Sequence, residues 1–418
     1  MYLFYLIKKL TSWLESPEDT DVSIYNLPFG IFSKKKKGRT RDGIAIGNQI
    51  VDLAALAEAE LINVSPFFYR QSTLNDFLDL GKKVTNKVRL DVQRLLVEAD
   101  SPLQKKQEIL TLQADVQMHL PIRIGDYTDF YSSIEHATNV GKMFRDPENA
   151  LLPNWKHIPV GYHGRASSIV VSGTPIKRPK GQVMSKDGTA PVFKPAGRLD
   201  FELEMGFITG KNTQLGDSVS TADAADYIFG LVLFNDWSAR DIQKWEYVPL
   251  GPFLGKSFGS SMSPWIVTLE ALEPFKVAGP KQDTKVLPYL QYTGKSNYDI
   301  QLEVALQPEN SEAHTVSNSN LKYMYWNMRQ QLAHHTINGC NINVGDVMAS
   351  GIISGKDESS YGSMLEISWG GSKPVTLKDG STRSFIEDND TVIMRGFAEK
   401  DGVKVGFGEV SGTILPSD

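Results

Sequence analysis

The chain has 418 residues, of which 41% are hydrophobic and 22% charged, which excludes a mainly disordered protein. Its 44 Lys and Arg against 49 Asp and Glu leave a net charge of −5, so there is no basic excess for nucleic acid phosphates. The lone cysteine, Cys340, excludes an internal disulfide and a Cys-based zinc site and fits a reducing, cytoplasmic compartment. Any metal would need carboxylate, histidine or carbonyl ligands.

No stretch reaches the roughly 18 apolar residues of a membrane span. Met1 to Leu10 (MYLFYLIKKL) place their apolar run before the lysines, with no small-residue cleavage site after it. We read them as an extension or the start of a surface helix rather than an export signal. Lys34 to Lys37, with Arg39 and Arg41, read as a solvated loop because Asp42 and Gly43 follow at once. Gly43 to Leu53 alternates Ile44, Ile46 and Ile50 around Gly47-Asn48 and predicts a β-hairpin. One helix is predicted from a Thr73 cap to near Ser101-Pro102, with Val84, Val88, Leu95 and Leu96 on one face.

After about residue 118, Gly, Ser, Pro and aromatic residues become frequent and short β-like runs recur. They are Ser167 to Gly173, Phe201 to Gly210, Gly230 to Phe234, Pro264 to Glu270, Asp299 to Gln307, Met364 to Trp369 and Asp390 to Gly396. A helix is predicted from Ser319 to Asn338, with Leu321, Met324, Met328 and Leu332 as a core-facing stripe and Gly339 as its stop. These elements predict a mainly β (α+β) protein: a small N-terminal domain over residues 1–118 and a large β-rich domain over residues 119–418.

Four clusters carry candidate chemistry. DYTDFYSSIEHATNVGKMFR (126–145) gathers Asp129, Tyr131, His136 and Arg145 in a stretch poor in aliphatics, the composition of a polar site or of a surface turn. DFELEMGF (200–207) puts Glu202 and Glu204 on one face of a strand, where they repel unless a hard cation lies between them or water bathes both. In the stretch from Leu233 to Ser261, an apolar strand ends at Asp236. Arg240, Gln243 and Tyr247 then share a helix face, and Lys256 sits among glycines. Finally, Glu366 lies inside an apolar run read as a strand, MLEISW, where a buried carboxylate needs a partner such as histidine. His119, His157 and His314 have no zinc spacing, and His334 and His335 read as structural.

Together these strings, with LLPNWKHIPVGYHGRASSIVVSGTPI (151–176), resemble the fumarylacetoacetate hydrolase family from about residue 12 to the end. The resemblance implies an SH3-like leading barrel, a β-sandwich roll behind it, a homodimer, and a small dicarbonyl acid as the substrate. It implies hydrolysis of 4-fumarylacetoacetate to fumarate and acetoacetate, the last step of tyrosine and phenylalanine breakdown. By the same resemblance, Asp129, Glu202, Glu204 and Asp236 hold a divalent cation, Ca²⁺ or Mg²⁺. His136 is the general base, Glu366 its orienting partner, and Arg240, Gln243 and Lys256 stabilise developing charge. Tyr131, Arg145, Tyr162, Gln243 and Tyr247 contact substrate, and Asp236, Lys256 and Ser260 lie where a second ion binds. Ile352 stands where the family usually has threonine, removing a hydroxyl near the substrate, whereas Ser260 replaces a threonine and keeps its hydroxyl. Two alternatives stand beside this reading: a related acylpyruvate or dicarbonyl-acid hydrolase of the same superfamily, and a catalytically dead metal-binding protein.

Overall fold

The computed structural model describes residues 10–17, 20–34 and 38–418. The readings of Met1 to Lys9 and of Lys35 to Lys37 lie outside the described residues. The fold is mainly β. The predicted hairpin forms: Arg41–Ile46 pairs antiparallel with Gln49–Asp52 across Gly47-Asn48, and Gly47 takes the positive φ of 56° that such a turn demands. It sits inside a five-stranded antiparallel sheet in the order Leu110–Leu112, Gln49–Asp52, Arg41–Ile46, Phe29–Lys34, Val116–His119.

The predicted helix after Thr73 breaks in two, Asn75–Leu78 and Lys82–Val97. Gly81 lies between them at φ 88°, outside helical space, and Leu74 rather than Thr73 precedes the first turn. Of the predicted face, Val88, Leu95 and Leu96 are buried, whereas Val84 is only half-buried. Ser101 instead caps the short turn Pro102–Lys105.

The second large sheet runs Gly161–His163, Tyr127–Phe130, Val347–Ala349, Leu203–Thr209, Ile228–Asp236, Ser260–Met262, Ile169–Val171. Its two central strands are buried along their whole length, which is why their sequences are almost continuously apolar rather than alternating. Leu203, Met205, Phe207, Leu231 and Leu233 form one core with Leu302, Val304, Val392, Met394 and Phe407 of a third, five-stranded sheet. On the other face, Ile208, Phe229, Val232 and Phe234 pack with Phe29, Ile31 and Ile44 of the leading sheet. Phe29 and Ile266 exchange backbone hydrogen bonds of 3.0 and 2.8 Å, tying the two sheets together.

Three further elements differ from expectation. Of Pro264–Glu270, only Val267–Thr268 is strand, because the Thr268 side chain caps the helical turn Leu269–Leu272. Of Ser319–Asn338, only Met328–Thr336 is α-helix. Ser319 and Asn320 end a strand, and Asn327 with Gln330 forms a capping box that starts the helix late. Leu321, Met324 and Leu332 are nonetheless core residues. The run MLEISW is not a strand either: Met364–Ile367 is a helical turn capped by Ser363.

Leu233 is fully buried between the second and third sheets. Leu233→Ala is expected to destabilise by about 2–5 kcal/mol, read as a lower urea midpoint of the transition that exposes this core. An unchanged midpoint would contradict the packing.

Candidate active site

Strand ends bring the four carboxylates together. Asp129 lies on Tyr127–Phe130, Glu204 on Leu203–Thr209, and Asp236 ends Ile228–Asp236. The register Leu203↔Asn235 sets Glu202 beside Asp236, and Asn235 Oδ1 accepts the Glu202 N–H at 3.1 Å. One oxygen from each of the four lies within 4.8 Å of the others, and all four residues are buried.

Burying like charges at this spacing is unfavourable, and the protonation preferences follow from it. Desolvation, reinforced by the neighbouring carboxylates, pushes Asp129 and Glu204 well above the ordinary range. Burial also raises Asp236, with Lys256 working against it. Burial pushes Glu202 up too, but Lys256 and Arg240 beside it prevail and hold it below the usual carboxylate value. Lys256 Nζ stands 2.7 Å from Glu202 Oε2, 2.6 Å from Asp236 Oδ2 and 2.8 Å from Ser238 Oγ. Burial alone would lower the Lys256 ammonium, yet Asp236 and Glu202 raise it, so it stays charged.

Two oxygens remain without a donor: Asp129 Oδ1 and Glu204 Oε1 are buried and unpartnered. The other Glu204 oxygen accepts the Gly351 N–H at 3.1 Å. Gly351 has φ 75°, and a Cβ there would lie 2.2 Å from the Phe130 carbonyl, so only glycine fits. Buried, unsatisfied carboxylate oxygens converging from several strands suit a hard divalent cation.

Beside this cluster, Arg240 opens the helix Arg240–Glu246. Its Nε reaches Asp200 Oδ2 at 2.8 Å and its Nη1 reaches Glu202 Oε1 at 2.7 Å, with Gln243 Oε1 at 3.5 Å. Ser260 Oγ donates to Asp236 Oδ1 at 2.6 Å, and the Tyr162 hydroxyl donates to Asp236 Oδ2 at 3.4 Å.

His136 lies on the helix Ile134–Phe144, capped by Ser133. Its Nδ1 is 2.7 Å from Glu366 Oε2, and both side chains are buried. A carboxylate only accepts, so Nδ1 carries the hydrogen and Nε2 is left to take a proton. Burial would raise Glu366, but the His136 contact and further hydrogen bonds hold it below the ordinary range. Those bonds come from Asn139 to Oε1 at 3.0 Å, and from Ser354 and Ser363 to Oε2 at 2.9 and 3.0 Å. The Tyr131 ring meets the His136 ring edge-on at 5.2 Å. Tyr131 is half-buried, and desolvation first and then Glu366 push its phenol up.

The other three named residues differ in exposure. The exposed Arg145 guanidinium bonds the Ala150 carbonyl at 2.7 and 3.2 Å. Tyr247 is 51% exposed beyond the Arg240–Glu246 helix, and Ile352 is buried. Sequence reasoning missed Asp200, Asn139, Ser238, Ser354 and Ser363. Of these only Ser363 left a local signal, its S-x-x-E spacing to Glu366, which marks a helix start rather than a strand.

Residues 127–414 match the family described as fumarylacetoacetate hydrolase C-terminal, and residues 25–121 match fumarylacetoacetase N-terminal. A fumarylacetoacetase of Dictyostelium discoideum is 53% identical over 421 residues, covering 98% of this chain and 99% of its own. The Homo sapiens fumarylacetoacetase is 51% identical over 414 residues, covering 97% of this chain and 99% of its own. The fold is shared with a solved fumarylacetoacetate hydrolase of Exiguobacterium antarcticum, at a TM-score of 0.52, 18% identity and 93% and 99% coverage of this chain and that one. It is also shared with a maleylpyruvate hydrolase of Sphingobium sp. SYK-6, at 0.51, 14%, 94% and 100%.

In ion-free protein the raised carboxylates favour the folded state below their unfolded pKa, and that contribution is lost as pH rises through the raised folded values. Mg²⁺ or Ca²⁺ at neutral pH should therefore raise Tm and flatten this pH dependence. Glu204→Gln should weaken ion binding at least about tenfold by calorimetry while leaving the ion-free protein no less stable at neutral pH. Unchanged affinity would remove Glu204 from the cation site.

Proposed function

The chain belongs to the fumarylacetoacetate hydrolase family and hydrolyses the carbon–carbon bond of fumarylacetoacetate; from that premise we propose how its residues divide the work. The observation that carries the reading is the buried His136–Glu366 pair beside a cluster of carboxylates, one ammonium and one guanidinium. Cleavage between two carbonyls needs a nucleophile at one carbonyl and a place for the electron pair released toward the other.

Glu366 holds His136 with Nε2 facing out, and that nitrogen takes a proton from water. The hydroxide adds to the carbonyl carbon of the fumaryl group, and the π pair moves onto its oxygen. Arg240, Gln243 and Lys256 stabilise that oxyanion: Arg240 through the Nη2 that has no partner, and Lys256 through its charge, because its three N–H groups already face Glu202, Asp236 and Ser238. When the oxyanion collapses, the carbon–carbon bond breaks and its electron pair leaves with the acetoacetate portion. The His136 imidazolium returns its proton to that carbon, giving acetoacetate, and the new carboxyl group loses its proton to solvent, giving fumarate. Asp129, Glu202, Glu204 and Asp236 would hold a divalent cation, Mg²⁺ or Ca²⁺, which when bound would polarise the dicarbonyl and offset negative charge there.

Tyr131, Tyr162, Gln243, Arg145 and Tyr247 are the proposed substrate contacts. Arg145 and Tyr247 would turn inward on binding, and Ile352 offers only an apolar surface where a hydroxyl would have donated. The second ion is proposed near Asp236, with Ser260 and Lys256 beside it. The five-stranded antiparallel leading sheet supports an SH3-like reading of the leading domain. The exposed apolar run of Tyr247, Val248, Leu250, Phe253 and Leu254 supports assembly as a homodimer. One free cysteine supports a cytoplasmic site of action.

His136→Ala is expected to keep divalent-ion binding and to lose about 100- to 10,000-fold in kcat, followed by the ultraviolet absorbance of fumarylacetoacetate. Wild-type turnover in this variant would refute the base assignment. Faster turnover of an acylpyruvate than of fumarylacetoacetate by the unaltered enzyme would refute the substrate.

A further inference from the structure

Asp200 takes no part in the steps above, yet it is fully buried and bonded to both halves of the site. It lies on the two-residue strand Leu199–Asp200, which pairs with Ser238–Ala239 immediately before Arg240. Its Oδ2 accepts from Arg240 Nε at 2.8 Å and from the Leu365 N–H at 3.0 Å, and its Oδ1 accepts from the Met364 N–H at 2.7 Å. Met364 and Leu365 open the helical turn that carries Glu366. One carboxylate therefore touches the guanidinium on one side and the backbone that aims the base's partner on the other.

The consequence for Arg240 is specific. A guanidinium is a rigid plane with five N–H groups. Asp200 takes Nε and Glu202 takes Nη1, so two anchored nitrogens fix its orientation. The remaining nitrogen, Nη2, is buried and has no partner. A buried donor without an acceptor is costly, and a ligand oxygen placed there would relieve that cost. A negative charge developing on that oxygen would relieve it further.

We propose that Asp200 is a positioning residue of the reaction: it leaves Arg240 Nη2 as the donor for the substrate's developing negative charge and holds the 364–365 backbone so that Glu366 faces His136. This rests on the reading that Arg240 stabilises that charge.

The test is a double-mutant cycle on the ion-loaded enzyme with Asp200→Asn, Arg240→Gln and the pair, assayed on fumarylacetoacetate below each variant's melting midpoint. Asp200→Asn preserves shape but removes the charge. It should lower kcat about 10- to 100-fold with KM within about threefold, and the pair should lose much less than the product of the single losses. A merely structural role would lower Tm and leave kcat of the folded fraction unchanged. If Asp200→Asn does not fold, Asp200→Ser, which leaves room for water, enters the same cycle. Wild-type kcat in the Asp200 variant with a slow Arg240→Gln overturns this inference alone. Losses that multiply in the pair overturn it as well. Wild-type kcat in Arg240→Gln overturns the reading beneath it and the inference with it.

Discussion

Four carboxylates crowded within 4.8 Å of one another and shut away from water repel strongly, and the rest of the site is arranged around that repulsion. Lys256 bridges Glu202 and Asp236, and Arg240 takes the other Glu202 oxygen. These two cations offset part of the charge. They settle Glu202 as an anion and leave one oxygen each of Asp129 and Glu204 without a partner. The suitability of this cluster for a divalent ion is thus a property of the protein's own electrostatics. The same two cations are the groups proposed to receive charge from the substrate.

Holding such a cluster takes a scaffold that cannot relax outward. The strands bearing Glu204 and Asp236 are buried on both faces, by the third sheet on one side and the leading sheet on the other. Close packing on both faces denies these strands the small shifts that would let the carboxylates separate. The leading sheet, which contributes no site residue, therefore supports the site by covering the face that holds Val232 and Phe234. Glu366 is restrained by a different device: four polar side chains converge on its two oxygens.

Much of the site was legible in the residues. An E-x-E pair, an aspartate where an apolar strand stops and a lysine among glycines are local signals, and the structure brings all of them together, although Glu202 precedes the strand Leu203–Thr209 that carries Glu204. The hairpin at Gly47-Asn48 was legible for the same reason, because turn chemistry is local. The misreadings also have local causes. Periodicity carried one helix through Gly81 and another back to Ser319, past caps at Gly81 and Asn327. In MLEISW, the apolar residues outweighed the Ser363 cap.

The sequence by itself determined the inventory: acids enough for a hard-cation site, one thiol and hence no thiolate site, and no basic excess for nucleic acid. Patterning and the resemblance carried by its motifs added the family and the chemistry. Only the tertiary structure decided which groups are left free. Glu366 meets His136 across 230 residues, and Asp200 meets Met364 across 164. That Arg240 keeps one donor unspent depends on Asp200 and Glu202 reaching it from elsewhere in the chain. Spacing along a chain reports which side chains share a face. Which charge meets which depends on strands and turns that approach only after folding.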